Sequence, residues 1–125
     1  MMLIATWIYL GLSVLVLLFL AALIVGAPWG ELTLGGKWRG PLPMKVRLIP
    51  LLSIGIIAFF MVIVLARSGL RFPTLSEFSA KGIWIVVAYN VLGVVANSLT
   101  PSPRERRLWV PVLIAMLTTS LILAF

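Results

Sequence analysis

LIATWIYLGLSVLVLLFLAALIV, residues 3–25, is a run of 23 residues that contains no charged side chain. A helix that crosses the hydrocarbon core of a membrane needs about 20 apolar residues, so this stretch predicts a transmembrane helix. Three further uncharged runs follow, at residues 48–66, 82–99 and 108–125. None of the four alternates between polar and apolar residues as a barrel strand does. The sequence therefore predicts an all-α, polytopic membrane protein that folds as a four-helix bundle.

The residues before the last two uncharged runs predict that helices three and four begin earlier than those runs do. The segment PTLSE at residues 73–77 is typical of a capping box, with Thr74 as the N-cap and Glu77 as the third helical residue. SPRE at residues 102–105 repeats this pattern, with Pro103 at the first helical position, where proline is tolerated. All of residues 1–125 are predicted to form one integral membrane domain, with spans at about 3–25, 48–66, 75–99 and 103–125.

The composition indicates lipid as the solvent of this chain and excludes several kinds of chemistry. Hydrophobic residues make up 62% of the 125 residues and charged residues only 10%, whereas about a quarter of the residues of a soluble domain are charged. The sequence has no Cys, no His and no Asp, and only three Glu. Thiol chemistry, Cys or His metal sites and Ser-His-Asp triads are therefore excluded. We predict no enzyme, no cofactor and no metal site.

The positions of the basic residues predict an orientation. Four spans place the first loop, residues 26–47, and the third loop, residues 100–107, on one side of the membrane. These two loops carry seven Lys or Arg, and the second loop, residues 67–81, carries three. The positive-inside rule therefore predicts that the first and third loops are cytoplasmic and that both termini lie outside. The net charge of +7 then matches anionic lipid headgroups, and we predict no nucleic-acid partner.

The first loop is unusually rich in residues that fix turns. Residues 26–43 contain five Gly, three Pro, two Trp and a single Glu. This composition predicts an ordered cap over the helix ends, with Trp29 at the depth of the lipid headgroups. In the simpler interpretation the tryptophans are interfacial anchors and the glycines are turn residues.

Glu31 is the single acidic residue of that loop, and the sequence does not settle its role. Seven basic residues surround it in the first and third loops. The predicted partner of its carboxylate is Arg104, Arg106 or Arg107, which would tie the two loops together. A structural clamp of this kind is one interpretation, and a role in handling a substrate or a proton is the other.

Helix three carries two asparagines within its predicted span. Asn90, Gly93 and Asn97 are spaced by three and four residues, so they share one face of the helix. An amide that faced lipid would cost several kcal/mol, and this face should therefore point into the bundle. The two asparagines either form interhelical hydrogen bonds or line a polar cavity, with Tyr89 beside it. Asn97 lies near the first and third loops, so the cap and this face could form one site.

An internal similarity relates the two halves of the chain. The pattern Pro-x-Pro-x3-Arg-Leu begins at Pro41 and again at Pro101, 60 residues later. Either the chain contains two duplicated helical hairpins, or any helix that begins at a membrane surface selects Pro and Arg at these places.

Two stretches together resemble a group of small bacterial four-span integral membrane proteins. They are GAPWGE at residues 26–31, with the glycines and the GPLP that follow it, and the pattern NS-x3-S-x2-ER-x2-W-x-PV at residues 97–112. The resemblance covers the first and third loops, about a third of the chain. It implies a bacterial plasma (inner) membrane and brings no activity, ligand or partner with it.

Two functions of different classes follow from these observations. The first is a non-enzymatic interaction or structural protein that packs against a second copy of itself or against a membrane-protein partner. The second is a small transporter, or a protein that binds a lipid or another small molecule, with a site at the cytoplasmic end between the first and third loops. A closed Glu31–Arg pair and no cavity would favour the first function. A pocket of several hundred Å³ that reaches Asn97 would favour the second.

The orientation can be tested with a reporter fused after Phe125. The excess of Lys and Arg in the first and third loops should hold those loops in the cytoplasm, so the reporter is expected to show extracytoplasmic activity. The same reporter fused after Arg47, in the first loop, is the control and should behave as cytoplasmic. A cytoplasmic signal from the Phe125 fusion would contradict the charge argument.

Overall fold

Four long helices make up the bundle. The computed structural model describes residues 2–33, 40–69 and 73–125. Within these ranges there is no strand, and each long helix is long and apolar enough to cross a membrane. The prediction of an all-α, multi-pass four-helix protein is therefore confirmed. The helices are α1 (Met2–Ile24), α2 (Leu48–Ser68), α3 (Ser76–Ser98) and α4 (Pro103–Ala124), and single turns of 3-10 helix lie at Gly30–Leu32 and Pro73–Leu75.

The helices are arranged in a ring. Each helix packs against the next one in sequence, and α4 returns to pack against α1, while the diagonal pair α2 and α4 touch much less. The first and third loops therefore lie at the same end of the bundle, which we call the cap end. The indole N–H of Trp109 in α4 donates a hydrogen bond to the Leu32 carbonyl of the first loop, at 2.8 Å. This contact confirms that the two loops share an end.

The buried apolar side chains form two clusters of unequal composition. The main cluster takes residues from all four helices and fills the half of the bundle away from the cap end. The second cluster lies nearer the cap end and joins only α1, α2 and the first loop, through Leu20, Leu23, Leu42 and Ile57. Helix α3 gives the main cluster Ile83, Val86 and Val87, and it gives the second cluster nothing. The last turns of α3 therefore contribute no buried apolar side chain to either cluster.

The two predicted helix starts have different outcomes. Ser102 is the N-cap of α4 as predicted, because its hydroxyl accepts a hydrogen bond from the Glu105 N–H at 3.3 Å and Pro103 follows it. The capping box predicted at Thr74 is wrong. Helix α3 begins at Ser76, its N-cap is Leu75, and no side chain caps it. Thr74 lies inside the preceding 3-10 turn, so its backbone does not have the extended conformation that an N-cap residue needs.

Arg67 joins the ends of two helices opposite the cap end. Its Nε donates a hydrogen bond to the Leu123 carbonyl at 2.8 Å, and its Nη2 donates one to the Ala124 carbonyl at 3.4 Å. The last carbonyls of a helix have no partner within the helix, and lipid offers none. Arg67 of α2 therefore supplies the donors that the end of α4 lacks.

Replacing Arg67 by Met should destabilise the bundle. The variant Arg67→Met keeps the side-chain length but leaves two carbonyls of α4 without donors, and we expect the free energy of unfolding to fall by about 1–2 kcal/mol. Denaturant unfolding in detergent micelles, followed by circular dichroism, measures the change. Lys81→Met is the matched control, because Lys81 is exposed. Equal stability of the two variants would contradict this role of Arg67.

Candidate functional site

A cavity of about 420 Å³ lies among the four helices in the half of the bundle nearest the cap end. It extends from Tyr9, Phe60 and Met116, which border the main core, to Asn97 and Glu105 at the cap end. Most of the lining side chains are apolar or aromatic. The lining residues are Tyr9, Val16, Phe19, Leu20, Thr33, Ser53, Ile57, Phe60, Tyr89, Asn90, Leu92, Gly93, Ala96, Asn97, Glu105, Trp109, Leu113 and Met116.

The cavity forms because α2 and α3 are in close contact only on one side of it. Away from the cap end, a Cβ added at Gly82 of α3 would lie 3.4 Å from Ile63 Cδ1 of α2, so the two helices are close there. Towards the cap end, the rings of Phe60 and Tyr89 still meet edge to face, with centroids 5.0 Å apart. Beyond this ring pair, both helices line the cavity.

Asn90 is buried between the helices and also lines the cavity. Its side chain is 1% exposed, and its Nδ2 donates a hydrogen bond to the Val86 carbonyl at 2.9 Å. The amide also forms a hydrogen bond with the Tyr9 hydroxyl of α1. Asn90 therefore links α3 to α1 at the inner boundary of the cavity, and its polar atoms are satisfied within the protein.

Asn97 differs from Asn90 although both lie on the same face of α3. It is half-buried and lines the cavity. Its Nδ2 donates a hydrogen bond to the Gly93 carbonyl of its own helix at 2.8 Å, and no described residue of another helix bonds to it. The amide oxygen and the second N–H of Asn97 therefore remain available. Gly93 between the two asparagines packs against the Leu113 side chain of α4, at 3.4 Å from an added Cβ, and not against another backbone.

The cap is held to the bundle by aromatic side chains. The Phe19 ring of α1 stacks on Trp29 of the first loop, with centroids 6.1 Å apart, and meets Trp109 of α4 edge-on at 4.7 Å. The hydrogen bond from Trp109 to the Leu32 carbonyl completes this contact. The described part of the first loop thus packs over α1 and α4.

The predicted Glu31 clamp falls outside the described residues. Glu31 lies in the 3-10 turn of the first loop, but its side chain is not described, and neither are residues 34–39. Its predicted partners Arg104, Arg106 and Arg107 are all exposed at the start of α4. Among the described residues, the contact between the first loop and α4 is made by Trp109.

Glu105 belongs to a hydrogen-bonded turn that also lines the cavity. The Thr100 hydroxyl donates to Glu105 Oε2 at 3.0 Å, and Thr100 Oγ1 accepts the Ser102 N–H at 3.3 Å. The sequence assigned Glu105 to the helix start alone and missed its place at the cavity. The spacing of Glu105, Trp109, Leu113 and Met116 along one face of α4 was the available signal.

Arg47 is a second residue whose role the sequence did not reveal. Its Nε donates to the Leu42 carbonyl at 2.9 Å, and its Nη1 donates to the Ile24 carbonyl at the end of α1, at 3.3 Å. Gly26 beside it has a φ of 102°, a left-handed conformation that glycine adopts without strain. Arg47 therefore closes the end of α1 and fixes the path of the loop.

The comparisons with known proteins add no assignment to this site. No family model, curated protein or solved structure matches the chain. The chemistry of the site is therefore argued from its own residues. They form a mainly apolar and aromatic cavity with the side chains of Thr33, Asn97 and Glu105 at its polar end.

The hydrogen bond between Trp109 and Leu32 can be tested by Trp109→Phe. Phenylalanine retains the ring contact with Phe19 but removes the N–H, so the Leu32 carbonyl loses its donor, and we expect the free energy of unfolding to fall by about 1–2 kcal/mol. Thermal or denaturant unfolding in micelles measures the loss. Trp84→Phe is the control, because Trp84 is 44% exposed and donates no hydrogen bond to a described residue. If both variants are equally stable, Trp109 does not hold the cap.

Proposed function

We propose that this chain is a non-enzymatic membrane protein that binds a small, largely apolar molecule in the cavity between its helices. The observation that carries the proposal is the cavity of about 420 Å³ that reaches Asn97. Pockets for small molecules have volumes of about 300–1,000 Å³ and are lined mainly by hydrophobic and aromatic side chains with a few polar groups. The cavity has both properties.

The shape of the lining favours an apolar ligand. Gly93 and Ala96 leave room on α3, while Phe19, Phe60 and Trp109 line the other sides of the cavity. An apolar molecule in this space gains dispersion contacts with the rings and aliphatic side chains around it.

The charges favour binding of a molecule that is neutral along most of its length. In the described part of the chain, the charged residues of the helices lie within two turns of a helix end. Ion carriers and proton-coupled pumps usually keep an ionisable group near the middle of the membrane. The groups that this cavity offers at that depth are the Tyr9–Asn90 pair and aromatic rings.

The environment of the site follows from the sequence-based orientation. We place the protein in the plasma (inner) membrane, which the resemblance to small bacterial membrane proteins implies. The cap end faces the cytoplasm in this proposal, because the first and third loops carry most of the basic residues. Lipids, including those with anionic headgroups, then surround the cap end. Packing against a membrane-protein partner or a second copy is the other function that the sequence predicts, and it requires no cavity.

A tryptophan at Ala96 should block the cavity and remove its occupant. Ala96 lines the cavity and is exposed at its edge, so the indole of Ala96→Trp would occupy the same space as the bound molecule. Native mass spectrometry of protein released from micelles should show a retained small molecule on the wild type, with occupancy about tenfold lower on the variant, which corresponds to about 1.4 kcal/mol of binding free energy.

The matched control is Val95→Trp, one residue away on the same helix. Val95 is 50% exposed and does not line the cavity, so this variant should retain the molecule as the wild type does. Both variants should unfold at similar temperatures. A wild type that carries no molecule, or equal retention by the two variants, would contradict the proposal.

A further inference from the structure

We propose that the molecule bound in the cavity is an anionic phospholipid from the leaflet at the cap end, one of whose acyl chains enters sideways between α2 and α3. This inference rests on the proposed function, since it names the chemical class of the occupant. Four features of the described residues carry it: the length of the cavity, the exposure of its lining on α3, the polar atoms of the lining, and the charge at its polar end.

The cavity is as long as one leaflet of a bilayer is thick. Its lining residues on α4 run from Glu105 to Met116, which at 1.5 Å per residue is about 16 Å along the helix axis. Half of the hydrocarbon core of a bilayer is about 15 Å. The rings of Phe60 and Tyr89 close the cavity at its inner end, near the middle of the membrane. An acyl chain of one leaflet therefore has the length that the cavity provides.

Part of the cavity lining on α3 lies on the outer surface of the bundle, and the described part of the first loop packs over α1 and α4 at the cap end. Leu92 and Ala96 of α3 line it and are exposed on the lipid-facing side, Leu92 by 67%. At the cap end, the contacts of Trp109 with Leu32 and of Phe19 with Trp29 hold the first loop over α1 and α4. A molecule that enters between α2 and α3 comes from the bilayer, where acyl chains are the most abundant apolar groups.

Several polar atoms of the lining are already bonded within the protein. The Trp109 N–H is bonded to the Leu32 carbonyl, and the Ser53 hydroxyl is bonded to the Ile49 carbonyl. Asn97 at the cap end keeps one N–H and its amide oxygen. An amide N–H at this depth is a suitable donor for the ester carbonyl of a lipid, which lies between the acyl chain and the headgroup.

The exposed charges at the cap end are positive in the described part of the chain. They belong to Lys45, Arg104, Arg106 and Arg107. The described acid at this end, Glu105, is buried and bonded to the Thr100 hydroxyl. A basic surface beside the polar end of an acyl-chain cavity favours a lipid whose headgroup carries a net negative charge.

Native mass spectrometry of the full chain in micelles, titrated with dioleoyl phosphatidylglycerol or with dioleoyl phosphatidylcholine, tests the headgroup. The two lipids have the same chains, so we expect phosphatidylglycerol to bind about tenfold more tightly. The double variant Arg106→Gln/Arg107→Gln should reduce that preference to about twofold or less and leave the binding of phosphatidylcholine unchanged. Equal affinity of the wild type for both lipids would overturn the inference that the headgroup is anionic.

A photoactivatable phosphatidylglycerol, with a diazirine in the middle of one acyl chain, tests where that chain lies. In the wild type and in Val95→Trp we expect crosslinks to the half-buried cavity-lining residues Gly93 and Leu113. In Ala96→Trp these crosslinks should disappear while those to lipid-facing residues remain. If lipid-facing residues alone are labelled in the wild type, the lipid is an ordinary surrounding lipid and the inference is wrong.

The two proposals can fail separately. If the wild type retains a molecule that Ala96→Trp loses but that molecule is not a phospholipid, the cavity is a binding site and the lipid assignment is wrong. If neither a retained molecule nor a cavity crosslink is found, both proposals are wrong.

Discussion

The hydrocarbon core of a membrane offers no hydrogen-bond partner to the backbone, and this constraint shapes the whole molecule. Four helices satisfy their own backbone groups along their length, but the last carbonyls of each helix need donors from elsewhere. Arg47 supplies them to Ile24 at the end of α1, and Arg67 supplies them to Leu123 and Ala124 at the end of α4. Arg47 and Arg67, which the sequence analysis counts among the loop charges, thus also donate hydrogen bonds to the last carbonyls of helices.

The cavity exists because the two asparagines of α3 have different partners. Asn90 is buried and bonded to Tyr9 of α1, which fixes α3 against the bundle at that level. Asn97, two turns further on, bonds to its own Gly93 carbonyl, and α3 adds no apolar side chain to the second buried cluster. Because α1 and α2 pack together there without α3, a space of about 420 Å³ remains between the helices.

Several features of the cap and of the site could be predicted from the sequence, and others could not. The N-cap at Ser102 and the inward-facing Asn90 follow from residue type and spacing, because the first depends on neighbours within a few residues and the second on the high cost of placing an amide in lipid. The contact of Trp109 with Leu32 joins positions 77 residues apart, and local spacing contains no information about such a pair. The capping box at Thr74 was mispredicted because a 3-10 turn competes with an N-cap for the same residues.

The sequence by itself determined the number of helices and that each can cross a membrane, since these depend on the length of the uncharged runs. Only the tertiary structure decided that Asn90 and Asn97 have different surroundings, that Glu105 lines a cavity, and that Arg47 and Arg67 bond to carbonyls. The physical reason is that these roles depend on which side chains of other helices lie at the same depth. Helix periodicity specifies the face of the helix on which a residue lies. Packing between helices specifies which side chains contact that face.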